Sequence, residues 1–551
     1  MSRARSLFLA VALALFLGFS TYQLALPGLH YDEAFEAVPA MQLLLGQPVT
    51  TFRGNGIPLG GRLFPLMTQD YIGALNTYLA IPFFALLGVN IMALRAMAVA
   101  IGLLTLWLTY RLADELYGIA AAIVAVLLLA VSPTFIFWSR QGVFVTSVTA
   151  AIGLASGLVW LRWWRTGAPW YAAVGGFLLG LGLYAKFLFL WLSIALGLSV
   201  LLLNIDRWRY LRSRLTTSLL GSTTLGFLLG ISPLIIYNLQ TGGTLRSVSD
   251  NLTTSYYGID NLAVLPNLLE RLRQFGAALA GSHFWYLGQA HANWLGPGLF
   301  LVAMGTTLWL LPRSPRPERR RVLFPFTVIG GVILTSWATV SALWVTHFAI
   351  LSPWPALAIA AAADLFVRRS GARLQSKRVN LALVLVLVAV GTTWIGDAIT
   401  DVRYHRSLAI SGGLGAHSDA VEDLARWLME DDRLGAPVVA MDWGIAAPVA
   451  FLSSGKVRPV EAFGYEWETD TDFAARLQPF LNTSTSIYLW RAPDEIIFDR
   501  GNDFRRLVQP YGLEEDILEA FYEKSGRPIL GATRLVPRGT AVNPPRPLEQ
   551  H

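Results

Sequence analysis

Residues 7–26 read LFLAVALALFLGFSTYQLAL, and the chain continues as Pro27-Gly28-Leu29-His30-Tyr31-Asp32-Glu33-Ala34-Phe35-Glu36. The first stretch has the length, about 20 apolar residues, at which a helix crosses a bilayer. The second places two adjacent acids just past its end. An acid inside the hydrocarbon layer costs roughly 2.5–3.5 kcal/mol on insertion scales, and less near the interface. The His30-Tyr31-Asp32-Glu33 cluster is therefore either an acidic interfacial loop or a functional site, and its position alone does not choose between them. A cleaved signal would have a shorter apolar core and a small-x-small exit. The run is expected to be an uncleaved first transmembrane helix, with Arg3 and Arg5 holding the N-terminus in the cytoplasm and Asp32 and Glu33 emerging outside.

The composition extends this reading to the whole chain. Of 551 residues, 54% are hydrophobic and only 14% charged, where soluble domains carry about 25% charge. Apolar windows of about 20 residues recur along most of the length, so the expected class is a polytopic α-helical membrane protein. A β-barrel would show alternating segments of about 10 residues. The net charge of +7 is topology signal and head-group contact, and nothing argues for nucleic acid. Without cysteine, disulfides and thiolate metal sites are excluded.

Residues 27–71 form a Gly/Pro-containing outer loop, expected to be irregular. Residues 72–88 are apolar but short and are read as a helix at the outer interface, completing an outer loop 27–91. Later spans fall near 92–111, 117–136, 143–162, 169–185, 187–204, 215–237, 291–311, 323–342, 347–367 and 380–398. With the first, that makes about eleven. The basic connections 111–117, 162–165, 207–214, 313–321 and 368–378 then all lie in the cytoplasm. Counting 72–88 as a span would put the last two outside. Two Gly-Phe-Leu-Leu-Gly segments, 176–180 and 226–230, have the spacing that lets helices approach closely. In a chain this rich in Gly and Leu the repetition is read as coincidence.

After residue 399 charges appear throughout and no span fits. Helical periodicity covers 418–431. A short strand at 437–441 leads through the turn Asp442-Trp443-Gly444 into the apolar run 445–452. Further strands are expected at 457–462, 486–490, 517–522 and 533–536, with helices near 471–480 and 504–511. The expected architecture is a transmembrane unit over 1–398, a small extracytoplasmic α/β domain over 399–540, and a disordered tail over 541–551.

Several polar residues sit at the outer ends of spans, on the side of Asp32 and Glu33. Arg95 opens the second span, Arg140 follows the third, Lys186 separates the fifth and sixth, Asn238 closes the seventh and His347 opens the tenth. Arg62 and Asp70 belong to the outer loop. An acidic pair facing isolated cations at one membrane surface suits transfer of a group from a lipid phosphate. The carboxylate takes a proton from an acceptor, and the cations neutralise the departing phosphate. Each residue also has a plainer use: Lys186 as a snorkelling helix-end lysine, Arg140 in local pairing, Asn238 as a helix cap. His283, His291 and His347 show no HxxxH or HExxH spacing. Trp285, Tyr286 and Trp294 fit an aromatic belt. No nucleotide loop and no Gly-x-Ser-x-Gly elbow is present.

These residues resemble the GT-C glycosyltransferases, in particular bacterial relatives of protein O-mannosyltransferases and of lipid A aminoarabinose transferase (glycosyltransferase family 39). The resemblance is carried by His30-Tyr31-Asp32-Glu33, Tyr71-Ile72-Gly73-Ala74-Leu75, Ala93-Leu94-Arg95, Ser132-Pro133 with Ser139-Arg140, Tyr184-Ala185-Lys186 and Tyr237-Asn238, across residues 1–400. It implies a polyprenyl-phosphate-linked sugar donor and an inverting transfer with Asp32 as general base, at the outer face of the plasma membrane. Glu33 would orient the acceptor or bind a divalent metal where one is used, and Arg140 and Lys186 would hold the donor phosphate. His30, Arg62, Asp70, Arg95, Asn238 and His347 would line the site. The acceptor, a glycan, lipid or protein, is left open. Many relatives carry an acid shortly after the Ser-Arg pair, and residues 142–146 have none. A first-loop lysine of some relatives has no match beyond Arg62. The rival readings are a polytopic transporter or lipid flippase, which would place charges within spans and break paired helices, and a non-catalytic scaffold with an outer binding domain.

Overall fold

The computed structural model describes residues 3–141, 144–339, 342–371, 378–467, 470–481 and 485–543. The expected disordered tail, from residue 544 on, and the basic residues 372–377 lie outside these. The chain is mostly helical, with a small sheet domain at its C-terminal end. Among the described residues four helices are long and apolar enough to cross a bilayer: Ile91–Tyr117, Thr217–Thr241, Leu295–Arg313 and Leu381–Ser411. Two bent pairs, around Phe189–Leu203 and Trp354–Ser370, raise this to six, and shorter apolar helices include Leu75–Leu87, Ile119–Ala130 and Pro169–Ala185.

Broken runs account for part of the difference from the sequence count, and apolar helices shorter than 18 residues, such as Ser6–Thr21 and Pro169–Ala185, for more of it. The run 117–136 splits at Ser132-Pro133 into Ile119–Ala130 and Pro133–Trp138, with the proline at the first position of the new helix. The run 347–367 begins as a tight 3-10 segment, Val345–Leu351, before the helix proper. In the other direction, the helix Arg378–Ser411 outruns its expected apolar segment.

The two Gly-Phe-Leu-Leu-Gly segments are not a coincidence of composition. They sit on the helices Pro169–Ala185 and Thr217–Thr241 and face each other. A Cβ on Gly176 or Gly180 would collide with the backbone at Thr223 or Phe227, and one on Gly226 or Gly230 with that at Ala173 or Phe177. The contact is reciprocal, backbone against backbone, as small-xxx-small helix pairs require.

The outer loop is more ordered than its Gly/Pro content suggests. Residues 31–45 form a helix, Tyr31–Leu45, whose buried face carries Ala34, Ala37, Ala40 and Met41. Two hairpins follow, β1 (Ile57–Leu59) with β2 (Arg62–Phe64), and β3 (Met67–Gln69) with β4 (Ile72–Gly73). The apolar face and a good N-cap outweigh the turn formers flanking the segment.

The C-terminal sheet contains β5 (Val438–Ala440), β6 (Val460–Glu461), β7 (Ile487–Arg491), β8 (Leu513–Tyr522) and β9 (Pro528–Pro537), in the order β6-β5-β7-β9-β8. Strand β5 runs parallel to β6 and β7, and the remaining pairings are antiparallel. One core lies under the helices Ala420–Leu428 and Ala446–Leu452, and a second under Phe473–Leu481 and Gly501–Val508. The run 445–452 is thus helical. This domain rests on the outer loop: Phe84 meets Phe451 at 5.6 Å, and Gln47 donates to the Ser454 carbonyl at 3.0 Å.

Replacing Gly180 or Gly226 by leucine should separate the two glycine-bearing helices. The expected loss is about 1–3 kcal/mol of stability, read as a lower unfolding midpoint of the detergent-solubilised chain, whereas Gly221→Leu, which meets no neighbour, should leave the midpoint near its starting value.

Candidate functional site

His30 caps the helix Tyr31–Leu45: its Nδ1 accepts from the Asp32 backbone N–H at 3.2 Å. Asp32 and Glu33 then occupy the first helical turn, where the exposed N–H groups favour negative charge. A helix turns about 100° per residue, so the two neighbours point apart. The Asp32 side chain is 51% exposed and the Glu33 side chain fully buried.

Glu33 is held by Arg95 through two bonds, Nε to Oε2 at 2.9 Å and Nη2 to Oε1 at 3.0 Å. The same guanidinium donates to the carbonyls of Leu24, Pro27 and Gly28. Arg95 therefore ties the turn after the first helix to the helix that carries Asp32. With both oxygens engaged, Glu33 is not presented as an acceptor contact or metal ligand.

Arg140 belongs to this buried group, not to the phosphate cradle expected from the sequence. Its Nη2 donates to the carbonyls of Gln23 and Leu26, and its Nη1 lies 3.4 Å from His405 Nδ1. It feels the charges of Arg95, Glu33 and Asp401. The short helix Pro133–Trp138 just before it turns the side chain inward, where it is fully buried.

Lys186 is placed differently. Its backbone follows the helix Pro169–Ala185 and bridges to Ile72, and the Phe187 N–H donates to the Tyr71 carbonyl at 2.9 Å. This staple brings the ammonium under the outer loop, where Nζ donates to Thr146 Oγ1 at 3.0 Å. Burial lowers its pKa, while the charges of Asp32 and Glu36 oppose the shift. Glu36, one helical turn beyond Asp32, accepts from the Thr68 hydroxyl through Oε1 and leaves Oε2 buried without a partner. Burial pushes its carboxyl well above the usual carboxylate range.

Two further groups complete this side. His347 is buried, stands edge-on to Trp191 at 6.1 Å, and feels both Lys186 and Arg271. Arg271, on the helix Val264–Ala280, is fully buried between the rings of Trp191 and Phe348. It donates to the Ser336 and Trp344 carbonyls, while its Nη2 has no partner among the described residues. A buried guanidinium with an unfilled donor can receive an anion, and Arg140, whose Nε has no partner among the described residues, shares this feature with Arg271. Sequence reading missed both Glu36 and Arg271. The i, i+4 spacing from Asp32 is a signal for the first. Nothing local marks the second.

The remaining candidates serve the frame. Asp70 accepts from Arg53 (Nη2 to Oδ2, 2.8 Å) and from the Tyr237 hydroxyl. Arg62 donates to the Leu43 carbonyl at 3.0 Å, and Asn238, inside the helix Thr217–Thr241 that Gly242 caps, accepts from the Leu245 N–H in the first turn of the next helix, Gly243–Asp250. His30 stacks on His417 at 4.2 Å. Among the described residues no three His, Asp or Glu side chains converge as a metal site requires. The residues present do not fit a bound metal, and no step below runs through one.

The arrangement is an exposed carboxylate, Asp32, whose charge acts on the buried Lys186, and a buried Arg271 that acts, with Lys186, on His347. Residues 74–237 match the family model described as dolichyl-phosphate-mannose-protein mannosyltransferase. No curated protein matches the chain by sequence. In fold, the chain is similar to ArnT from Cupriavidus metallidurans bound to undecaprenyl phosphate, with a TM-score of 0.59 at 13% identity over 96% of this chain and 97% of that one. It is also similar to the Archaeoglobus fulgidus oligosaccharyltransferase tethered to an acceptor peptide, with a TM-score of 0.52 at 13% identity over 89% of this chain and 69% of that one. The family-model match covers residues 74–237, and the likeness to the two solved structures is one of fold.

Breaking the Glu33–Arg95 pair from one side should cost about 3–5 kcal/mol, because it strands a buried charge. Glu33→Gln and Arg95→Met should each lower the unfolding midpoint, and the double variant should recover a large part of the loss. Additive losses would show that the two side chains do not act as a pair.

Proposed function

We propose that this chain is a GT-C membrane glycosyltransferase that moves a sugar from a polyprenyl-phosphate donor to an acceptor hydroxyl at the outer face of the plasma membrane. The observation that carries the reading is the separation of charge across the site. The Asp32 side chain is exposed, Lys186 is buried and feels its charge, and the buried His347 feels both Lys186 and Arg271.

In this reading the acceptor oxygen attacks the anomeric carbon from the side of Asp32. The acceptor O–C1 bond forms as the C1–O bond to phosphate breaks, so the configuration inverts. Asp32 takes the acceptor proton as general base. The bonding pair leaves on the polyprenyl phosphate, whose growing charge is met by Lys186 and Arg271. A phosphate leaving group needs positive charge more than a proton, which suits a pocket of fixed cations. Burial pushes the Glu36 carboxyl up to about 8, and the Lys186 charge opposes that rise. Glu33, Arg95 and Arg140 act as positioning residues that hold the Asp32 helix against the membrane part.

The orientation proposed has the N-terminus in the cytoplasm, about eleven spans with 72–88 at the outer interface, and the 399–540 domain outside. The clustering of Arg162, Arg165, Arg207–Arg214 and Arg313–Arg321 at one set of connections supports it.

Two outcomes test this. Asp32→Asn should reduce transfer from a polyprenyl-phosphate sugar by about 10²–10⁴-fold with an unchanged unfolding midpoint, and cells carrying it should accumulate the lipid-linked donor. Full activity in that variant removes Asp32 as the base. Protease added to sealed right-side-out cells should cut the chain after residue 399, and protection of that domain overturns the orientation.

A further inference from the structure

The outer domain does more than rest on the membrane part: it brings a set of half-exposed aromatic rings to the helix that carries Asp32. Tyr31, next to Asp32 in sequence, packs on Trp443 at 4.7 Å. Its hydroxyl and that of Tyr465 both donate to Glu461, at 3.3 and 2.9 Å. From a separate part of the chain, the Tyr256 hydroxyl donates to the Tyr465 carbonyl, and its ring lies 6.1 Å from that of Trp467. Tyr256, Tyr465 and Trp467 are 43%, 45% and 52% exposed. The Tyr465 hydroxyl lies 3.1 Å from that of Tyr31, the residue before Asp32, which joins the shelf to the helix that carries the proposed base.

We propose that the shelf formed by Tyr256, Tyr465 and Trp467, with Glu461 at its inner edge, binds a sugar ring, and that the acceptor is accordingly a glycan that is neutral or carries an amine. The inference rests on the transfer reading above for the role of Asp32. Aromatic rings with one open face and a polar tip suit a partner that is itself apolar on one face and polar at its rim. A sugar ring is such a partner: its C–H face stacks on the rings while its hydroxyls reach carboxylates. Tyr465 and Trp467 rest on Phe498, at 5.9 and 4.5 Å, outside the two cores of the sheet domain, and with Tyr256 from a distant segment they remain half-exposed.

Charge selects among glycans. The groups facing the shelf are the carboxylates of Asp32, Glu461 and Glu466, so a phosphorylated or acidic acceptor meets like charge. Arg500 lies beneath and is buried, donating to the carbonyls of Phe463 and Glu466. An extended peptide is the poorer occupant. The sheet edge available to it, β6, is only two residues long, and short edges template little strand addition.

The test uses the full detergent-solubilised chain and two probe sets. Undecaprenyl phosphate is followed by thermal shift. Neutral and amino-sugar oligosaccharides, acidic oligosaccharides and a Ser/Thr-rich peptide are followed by quenching of tryptophan fluorescence. Neutral or amino-sugar oligosaccharides are expected to bind, and Trp467→Ala or Tyr465→Ala to weaken them about tenfold while leaving undecaprenyl phosphate binding unchanged. Preference for the peptide or for acidic sugars overturns the proposal, as does sugar affinity unaltered in both variants. The two readings separate cleanly: failure of undecaprenyl phosphate to bind the unaltered chain strikes the donor reading alone, and failure of every sugar beside intact undecaprenyl phosphate binding strikes the shelf alone.

Discussion

The Glu33–Arg95 ion pair is the constraint on which the rest of the site depends. A carboxylate and a guanidinium taken out of water each lose several kcal/mol of solvation, which their mutual attraction recovers only when geometry and further hydrogen bonds are good. Here the two bonds are near 3 Å, and the remaining guanidinium donors reach three backbone carbonyls of the 24–28 turn. The pair therefore fixes the phase of the helix Tyr31–Leu45. With Glu33 locked inward, Asp32 has to face the open side, and Glu36 returns beneath it after one turn.

A second constraint comes from the membrane part. The glycine faces of Pro169–Ala185 and Thr217–Thr241 bring these helices into backbone contact. The first of them ends at Lys186, and the second supplies Tyr237, which bonds Asp70 of the outer loop. Close helix packing thus sets where the ammonium emerges, and the bridge from Ile72 to Lys186 joins it to the loop that carries the acids. The charges are divided by depth: cations enclosed, one carboxylate open. That division matches a reaction in which an anionic lipid leaves downward and a polar acceptor arrives from above.

Part of this site was legible in the residues and part was not. Asp32 and Glu33 stood out together, as an acidic pair just past the end of an apolar run long enough to cross a bilayer. Glu33 looked equivalent, because two adjacent letters carry no information about which faces inward. Arg140 and Lys186 looked like partners, since both follow apolar helices on the same side. A six-residue helix turns one into a buried clamp, while an extended residue leaves the other under the pocket. Arg271 gave no local signal, because its significance lies in an unfilled Nη2 donor and in neighbours from residues 191, 336, 344 and 348.

The amino-acid sequence by itself determined that this is a many-helix membrane chain with a small α/β unit toward its C-terminal end. Those conclusions follow from hydropathy, period and charge, which are properties of short segments and survive without knowing what packs on what. Only the tertiary structure decided which acid is open, which buried cation feels its charge, that two repeated glycine segments form one helix contact, and that aromatic rings from two distant segments meet beside the Asp32 helix. Each of these depends on helix phase and on contacts between residues hundreds of positions apart. Local patterns do not encode such relations, because burial and hydrogen bonding are settled only when the segments assemble.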